Sequence, residues 1–383
     1  MIPLRIGTGA AALALLALAG CGSERPADAA RQEQAAPAVV DPAAARRGKY
    51  LFDAANCVGC HTDSKHAGAR LAGGKAIDTP FGAYLSRNIT PDPTDGIGAW
   101  SDADFLRALR QGLSPSGAHY FPAFPFPSFT KMTDRDILDI KAYLMTQAPV
   151  AQPDKPHDVP FPFDVRAIMV LWRALYFTPG PLAPDPTQGA EWNRGNYLVN
   201  AVSHCGECHT PRNFLGALEN DRRFAGARLA GPDAKRAPNI TPEPRGGIGG
   251  WSVDDITALL KTGMTPSGDV VAAPMSDVVD AGTAKLTESD RRAIAVYLKS
   301  VPAQAGKAAE KSSPRPCRPA PRHYSVGVSA PRLDIDHPVD AEAIRQHAEA
   351  RREEGLAQRR LHLTALAERR EDAVGRGLVG DRQ

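Results

Sequence analysis

The sequence lacks the features that mark several common enzyme classes. No glycine-rich fingerprint follows a strand pattern, which argues against a nicotinamide or flavin enzyme. Strand-like alternation of apolar and polar residues is nearly absent from the 383 residues. Cysteine is scarce: of six residues, the two outside short motifs, Cys21 and Cys317, lie at opposite ends of the chain. A disulfide framework is therefore not expected, and the chain is predicted to be helical.

A long apolar run is also missing from the N-terminus. The uncharged stretch from Ile6 to Gly20 has 15 residues, whereas a membrane span needs roughly 18 to 20. It ends in Leu18-Ala19-Gly20-Cys21, which resembles a bacterial lipoprotein signal. A transmembrane helix is the alternative interpretation. We expect residues 1–21 to be a signal with lipidated Cys21, and residues 22–45, rich in Ala, Pro and Gln, to be a flexible tether.

Two short motifs carry the chemistry. The first contains Cys57, Cys60 and His61, and the spacing C-x-x-C-H is that of covalent haem attachment. Two intervening residues let both sulfurs reach one porphyrin, and the histidine then supplies an axial iron ligand. A zinc site or a redox C-x-x-C are the alternatives. A second copy makes both less plausible, and its residues are Cys205, Cys208 and His209.

The second motif belongs to an internal repeat. Cys57 and Cys205 are 148 positions apart, and later segments recur with an offset of 151. We name residues 46–150 repeat 1 and residues 191–303 repeat 2, and predict that each is a domain. Residues 151–190 are then the connector. The segments that recur are Asn88-Ile89-Thr90-Pro91 as Asn239-Ile240-Thr241-Pro242, Gly96-Ile97-Gly98 as Gly247-Ile248-Gly249, and Trp100-Ser101 as Trp251-Ser252.

Helix boundaries also recur. Ser101 and Ser252 precede acidic residues and an apolar helical pattern that ends near Gly112 or Gly263. The last helix of each repeat is predicted to begin after a capping threonine, and an amphipathic helix is predicted to start near Arg47. Each repeat is thus interpreted as a small helical domain around a haem.

The order of these motifs resembles the class I cytochrome c domain. More narrowly, it resembles the multihaem cytochrome c subunits of periplasmic membrane-bound dehydrogenases for alcohols and gluconate. The resemblance spans roughly residues 47–302. It implies an all-α fold with two tandem cytochrome c domains and two covalently bound haem c groups. Subunits of this family often carry three haems, whereas this chain has motifs for two.

The segments beyond the repeats differ from one another. The connector is aromatic, and because Arg166 and Arg173 interrupt it we expect an amphipathic helix across the two domains rather than a membrane span. Residues 304–383 form a charged tail that is predicted to be disordered or partly helical. Its acidic residues are interspersed with basic ones, so nucleic acid is not expected as a partner.

The sixth iron ligands are predicted to differ between the repeats. The resemblance assigns this role to a methionine after a proline, which Met275 satisfies in repeat 2. The matching residue in repeat 1 is Phe124, which cannot coordinate iron. We rank His119 first as its replacement, then Met132, then an open site. Arg212 is a candidate partner for a haem propionate, or a surface arginine.

These residues favour an electron carrier. It would link a periplasmic dehydrogenase or quinol-oxidising complex to a downstream electron acceptor, on the periplasmic side of a bacterial membrane. The alternative is a dihaem peroxidase-type enzyme with haem 1 as the open or displaceable site, but no distal acid-base residue is evident.

Overall fold

The protein is described here from a computed structural model, which covers residues 40–231 and 235–305. The predicted signal, most of the tether and nearly all of the tail lie outside these residues. Helices dominate the described part. Repeat 1 contains α1 (Pro42–Ala54), α2 (Cys57–His61), α3 (Asp102–Gln111), α4 (Phe126–Phe129) and α5 (Asp134–Leu144). The connector contains α6 (Ile168–Tyr176). Repeat 2 contains α7 (Ala190–Tyr197), α8 (Gly206–His209), α9 (Val253–Thr262), α10 (Met275–Ala281) and α11 (Glu288–Ser300).

Each repeat also contains a short antiparallel hairpin that the alternation pattern did not reveal. The four strands are β1 (Ala76–Thr79) paired with β2 (Gly82–Leu85), and β3 (Ala227–Arg228) paired with β4 (Arg236–Ala237). They have two to four residues each. Such strands are too short to show a period of two, which is why the sequence pattern missed them.

The first helix begins earlier than the pattern near Arg47 indicated, at Pro42. The carboxylate of Asp41 accepts hydrogen bonds from the backbone N–H groups of Ala43 at 2.9 Å and Ala44 at 3.2 Å. Proline is favourable in the first helical position because its missing N–H would have no partner there. The last residues of the predicted tether therefore belong to α1.

Equivalent helices of the two repeats have equivalent ends. Ser101 and Ser252 each form a capping box with an aspartate three residues later, which satisfies the free N–H groups of α3 and α9. Both helices end at a glycine with positive φ, 61° at Gly112 and 73° at Gly263. The sequence prediction for these boundaries is confirmed.

Glycines allow the first and last helices of each repeat to cross in backbone contact. A Cβ atom on Gly48 of α1 would lie 1.7 Å from the carbonyl oxygen of Asp139 in α5. A Cβ atom on Gly195 of α7 would lie 2.0 Å from the carbonyl oxygen of Ala293 in α11. No larger residue fits either crossing without separating the helices.

The two repeats hold one another through a reciprocal pair of tyrosines. Tyr50 of α1 donates a hydrogen bond to the carboxylate of Asp290, in the first turn of α11, at 2.6 Å. Tyr197 of α7 donates in the same way to Asp136 in the first turn of α5. Each repeat thus binds the start of the other's last helix, as in a two-fold related pair.

The apolar core is continuous between the repeats. One cluster of buried side chains joins residues of both, and residues 40–231 and 235–305 fall within one compact unit. The division into domains at residues 46–150, 151–190 and 191–303 therefore stays a prediction. Members of the cluster include Phe52, Met132 and Ile137 from repeat 1, and Leu198, Val202 and Ile294 from repeat 2.

The connector helix α6 packs across both repeats. The indole of Trp172 is buried, lies 6.4 Å from the ring of Phe126 in repeat 1, and donates to the carbonyl oxygen of Leu215 in repeat 2 at 3.0 Å. Its opposite face exposes aliphatic side chains such as Leu171 and Leu175. None of the helices described is long and apolar enough to cross a membrane.

Candidate functional site

The first C-x-x-C-H motif forms α2, directly after the end of α1. Asn56 makes the turn between the helices with a positive φ of 50°. Its amide lies so close to Gly59 that a Cβ atom there would be 2.5 Å from the amide nitrogen. The thiol of Cys57 is half-buried, whereas Cys60 is exposed. The short helix therefore presents two cysteines and one histidine from a single turn.

The second motif adopts the same arrangement. His204 occupies the position of Asn56 and also has a positive φ, 39°. Its ring reaches into repeat 1: Nε2 lies 3.3 Å from the carbonyl oxygen of Ala55, and the ring centroid lies 5.4 Å from that of Phe129. Cys205 is half-buried and Cys208 exposed, as in the first motif.

Both motif histidines are held in the orientation that an iron ligand needs. The Nδ1 atom of His61 lies 2.7 Å from the carbonyl oxygen of Arg87, and that of His209 lies 2.8 Å from the carbonyl oxygen of Pro238. With Nδ1 donating to a carbonyl, Nε2 is the nitrogen that carries the free lone pair. Burial lowers the pKa of both histidines, which favours the neutral, ligating form. The residues present thus fit a haem iron.

The recurring Asn-Ile-Thr-Pro segments brace these carbonyl groups. Each begins directly after the residue whose carbonyl faces the histidine, and its asparagine bonds the threonine two positions later. The Asn88 side chain accepts from the hydroxyl of Thr90 at 2.7 Å, and Asn239 accepts from Thr241 at 2.7 Å. All four residues are buried. The segments therefore fix the loop on the histidine side of each motif.

The Gly-Ile-Gly segments complete the same loop because only glycine fits against it. A Cβ atom on Gly96 would lie 2.2 Å from the carbonyl oxygen of Thr90, and one on Gly247 would lie 2.3 Å from that of Thr241. The isoleucine of each segment enters the core. In each repeat, the two recurring segments thus pack together into one tightly fitted loop.

The loops that carry Phe124 and Met275 have the same backbone hydrogen bonds. The N–H of Phe124 donates to Phe121 at 3.0 Å, and that of Met275 donates to Ala272, which matches Phe121, at 3.0 Å. Met275 is half-buried and packs against the shared core. It is therefore available as a ligand candidate, and Phe124 is its structural counterpart.

The candidate replacements for Phe124 lie in different surroundings. The side chain of Met132 is fully buried in the core. His119 lies beside the connector, where Arg166 donates to its carbonyl oxygen at 2.5 Å and its own Nδ1 is buried without a hydrogen-bond partner among the described residues. His66 is an exposed side chain paired with Asp63.

His157 of the connector is half-buried against aromatic rings rather than facing solvent. Its Nδ1 accepts a hydrogen bond from the backbone of Leu85 at 3.1 Å, and its ring packs edge-on against Tyr84 and Phe121. Burial, with the charges of Arg87 and Arg166, lowers its pKa to about 4. The aromatic partners are 36 and 73 residues away in sequence, so the local pattern could not reveal this environment.

The two motifs lie near one another. His204, directly before Cys205, places its Nε2 atom 3.3 Å from the carbonyl oxygen of Ala55, two residues before Cys57. Residues of the opposite repeat line both motifs. Ser128 donates to Glu207 at 2.6 Å.

Arg212 has a protein partner in this arrangement. Its guanidinium lies 2.6 Å from the carboxylate of Glu207 and donates to the carbonyl oxygen of Gly216 at 2.8 Å. Arg212 therefore forms an ion pair with Glu207 at the edge of the second motif. Within residues 40–231 and 235–305, no group of three or more His, Cys, Asp or Glu side chains is arranged to hold a metal ion by itself.

Sequence reasoning missed Arg87 and Pro238, whose backbone carbonyls orient the two histidines. Their side chains have no chemistry in common, since one is a charged arginine and the other a proline, so no sequence pattern marks them. Only their position before the recurring asparagine could have identified them.

The comparisons with known proteins agree with this geometry. The sequence model of the family described as "Cytochrome c" matches residues 45–148. A "Diheme cytochrome c-type" protein of Cereibacter sphaeroides is 43% identical over 268 residues, which cover 68% of this chain and 86% of that protein. The chain therefore belongs to the cytochrome c family.

Two further relatives are subunits of larger enzymes. The fructose dehydrogenase cytochrome subunit of Gluconobacter japonicus is 42% identical over 278 residues, covering 72% of this chain and 56% of that subunit. The cytochrome c subunit of the quinone-type alcohol dehydrogenase of Komagataeibacter europaeus is 41% identical over 274 residues, covering 68% and 57%. The chain spans little more than half the length of these two relatives.

Proposed function

We propose that the chain is a dihaem electron carrier that holds one covalently bound haem c in each repeat. Cys57 and Cys60 tether the first haem, and Cys205 and Cys208 the second. His61 and His209 supply the proximal iron ligands. The observation that carries this proposal is the matched pair of histidine-to-carbonyl hydrogen bonds at 2.7 and 2.8 Å.

The residues of the chain control the haem rather than react themselves. A bound haem supplies one-electron chemistry at its iron. The protein tethers it through two thioethers, fixes the histidine rings through backbone carbonyls, and excludes water with the shared core. Met275 would complete the coordination of the second iron, and a thioether ligand raises its potential. The contact of His204, next to Cys205, with the carbonyl oxygen of Ala55, two residues before Cys57, supports electron exchange between the two haems.

The peroxidase-type alternative receives less support from the distal loop of repeat 1. Such an enzyme needs an acid-base side chain above an accessible iron. The residue in the position of Met275 is Phe124, whose ring contacts are with Tyr120 and Phe129. Peroxide turnover by the isolated protein at a rate typical of enzymes, above about 1 per second, would reverse this preference.

We propose that the electron donor is a dehydrogenase or a quinol-oxidising complex, and that a second protein accepts the electrons. The chain's similarity to cytochrome subunits of a fructose dehydrogenase and an alcohol dehydrogenase supports a dehydrogenase donor. Contacts of this kind are usually small and transient. The test is to isolate tagged protein from native membranes, identify what co-purifies, and measure whether that protein's substrate reduces the haems. No reduction by any co-purifying oxidoreductase would contradict this assignment.

Covalent haem content tests the sites directly. Alanine at both Cys57 and Cys60 should leave one haem in a matured preparation, and so should alanine at both Cys205 and Cys208. The wild-type protein should retain two haems after acid-acetone extraction, as counted by the pyridine haemochrome spectrum. Fewer than two tethered haems in the wild type would refute the proposal.

We further propose that the protein acts on the periplasmic side of a bacterial membrane, anchored through lipid on Cys21. This residue lies outside the described part of the chain, and the support is the sequence Leu18-Ala19-Gly20-Cys21. A Cys21→Ser variant should lose metabolic fatty-acid labelling and become soluble after a high-salt wash. A variant that stays in the membrane fraction would require a different anchor.

A further inference from the structure

The structural equivalence of the two repeats makes Phe124 the counterpart of Met275, the residue proposed to complete the coordination of the second iron. The distal loop follows α3 in repeat 1 and α9 in repeat 2, and its backbone hydrogen bonds match at an offset of 151. Ser114 donates to Ala118 at 2.9 Å, and Thr265 donates to Asp269 at 2.8 Å. The register of the loop is therefore the same in both repeats up to the ligand position.

The backbone hydrogen bonds also match at Phe124 and Met275 themselves. Tyr120 donates to Gly112 at 2.8 Å, and Val271 donates to Gly263 at 2.9 Å. Four residues later come Phe124 and Met275, each with its N–H bonded to the residue three positions before it. No insertion shifts another side chain into the place of the thioether.

His119 is held on the outer side of this loop. It forms an isolated β-bridge with Leu113, and its counterpart Val270 forms the same bridge with Met264. Val270 is 71% exposed. The shared register directs His119 to the corresponding outer side, where the connector covers it. The sequence-based ranking of His119 as the first ligand candidate is therefore not supported.

Met132 occupies a core position. It directly precedes Thr133, the N-cap of α5, as Leu286 directly precedes Thr287, the N-cap of α11. Leu286 is 4% exposed and Met132 is fully buried. A leucine serves the same packing role in the repeat that has its own methionine ligand candidate.

The two remaining methionines near repeat 1 also have other roles. Met145 is the C-cap of α5 and matches Lys299, whose ammonium group binds carbonyl oxygens of Gly249 and Trp251 at 2.8 Å. Met169 packs beside Trp172 in the connector. Neither occupies the counterpart of Met275.

We propose that no side chain of residues 40–231 and 235–305 takes the sixth position of the first haem's iron, and that this iron binds small uncharged ligands of the carbon monoxide class. The inference rests on the proposed haem in repeat 1. Phe124 has no lone pair to donate, and its ring lies 5.7 Å from that of Tyr120 and 5.6 Å from that of Phe129. This aromatic cluster favours neutral molecules, because an anion would lose its hydration there without a charged partner.

Carbon monoxide titration of the reduced, full-length dihaem protein tests the site. The wild type should bind one carbon monoxide per two haems, because Met275 protects the second iron. Phe124→Met should supply a thioether and reduce carbon monoxide binding at least tenfold. In the oxidised protein it should convert the first haem from high to low spin, as seen by electron paramagnetic resonance. Phe124→Leu, which is apolar but cannot coordinate, is the matched control and should still bind one.

The outcomes separate this inference from the proposed function. A wild type with two tethered haems that binds no carbon monoxide and is fully low spin would overturn the open site and leave the electron carrier intact. Recovery of binding in His119→Ala or Met132→Leu would then identify the ligand. If Phe124→Met does not mature, the stoichiometry and spin state of the wild type still decide the question.

Discussion

Repeat 1 and repeat 2 share a framework but differ at the places that control a bound haem. The helix crossings at Gly48 and Gly195, and the histidine-to-carbonyl bonds, recur almost atom for atom. The distal loops share their backbone hydrogen bonds but differ in one side chain: repeat 1 has Phe124, packed against the cluster that contains Trp172 of the connector, where repeat 2 has the half-buried Met275. The comparison shows that two repeats can share the histidine side of the motif while only one of them carries the methionine proposed as a distal ligand.

The largest effect is expected from removing Met275, because neither distal loop would then offer a thioether to its haem. Met275→Ala should abolish the thioether-iron charge-transfer band, lower the potential of the second haem, and raise carbon monoxide uptake from one to two per protein. Optical titration and redox potentiometry measure these changes. A band that survives in the variant would show that another residue ligates the second iron.

Filling the helix crossings tests whether the shared framework is equally tight in both repeats. Gly48→Ala and Gly195→Ala each place a methyl group against a backbone carbonyl, and should destabilise the protein by about 3 kcal/mol or more. The effect should be larger at Gly48, where the approach is closer. Gly250→Ala is the control, since nothing lies within 4 Å of its Cβ position. Chemical unfolding measures the three free energies, and equal values for all would contradict the crossing geometry.

The reciprocal tyrosines test the contact between the repeats. Tyr50→Phe and Tyr197→Phe each remove a hydrogen bond to a carboxylate, a loss of about 2 kcal/mol in unfolding free energy. The two variants should lose similar amounts if the contact is two-fold. Tyr176→Phe, at an exposed ring in the connector, should change stability by no more than about 0.5 kcal/mol. A large loss of unfolding free energy in only one of the two variants would show that the contact is not two-fold.

The smallest effect concerns His157, which has no counterpart in repeat 2. Its pKa of about 4 in the folded protein lies below its ordinary value, so protons bind the unfolded chain preferentially. This contribution to stability is complete above about pH 6.5 and is lost as the pH falls toward 4. His157→Leu should be less stable than the wild type at pH 7, and the difference should narrow at pH 4. Melting temperatures across this range measure it, and parallel profiles would refute the half-buried, neutral histidine.

Much of the site could be predicted from the sequence because its information is local. The C-x-x-C-H spacing, the capping serines and the helix-ending glycines each lie within a few residues, and the constant offset paired Phe124 with Met275. The helical architecture followed from these elements. The ranking of His119 stays a prediction, and the open site proposed above competes with it, because sequence separation does not show on which side of a loop a side chain lies.

By itself the sequence determined where the haem motifs lie, where α3 and α9 begin and end, and which residue replaces the methionine in repeat 1. Only the tertiary structure decided which carbonyls hold His61 and His209, how the tyrosines join the repeats, and that His157 packs half-buried against two aromatic rings. The physical reason is the separation along the chain of the groups that interact. The first set depends on backbone bonds between near neighbours, whereas the second joins groups 26 to 240 residues apart, whose meeting depends on how the whole core packs.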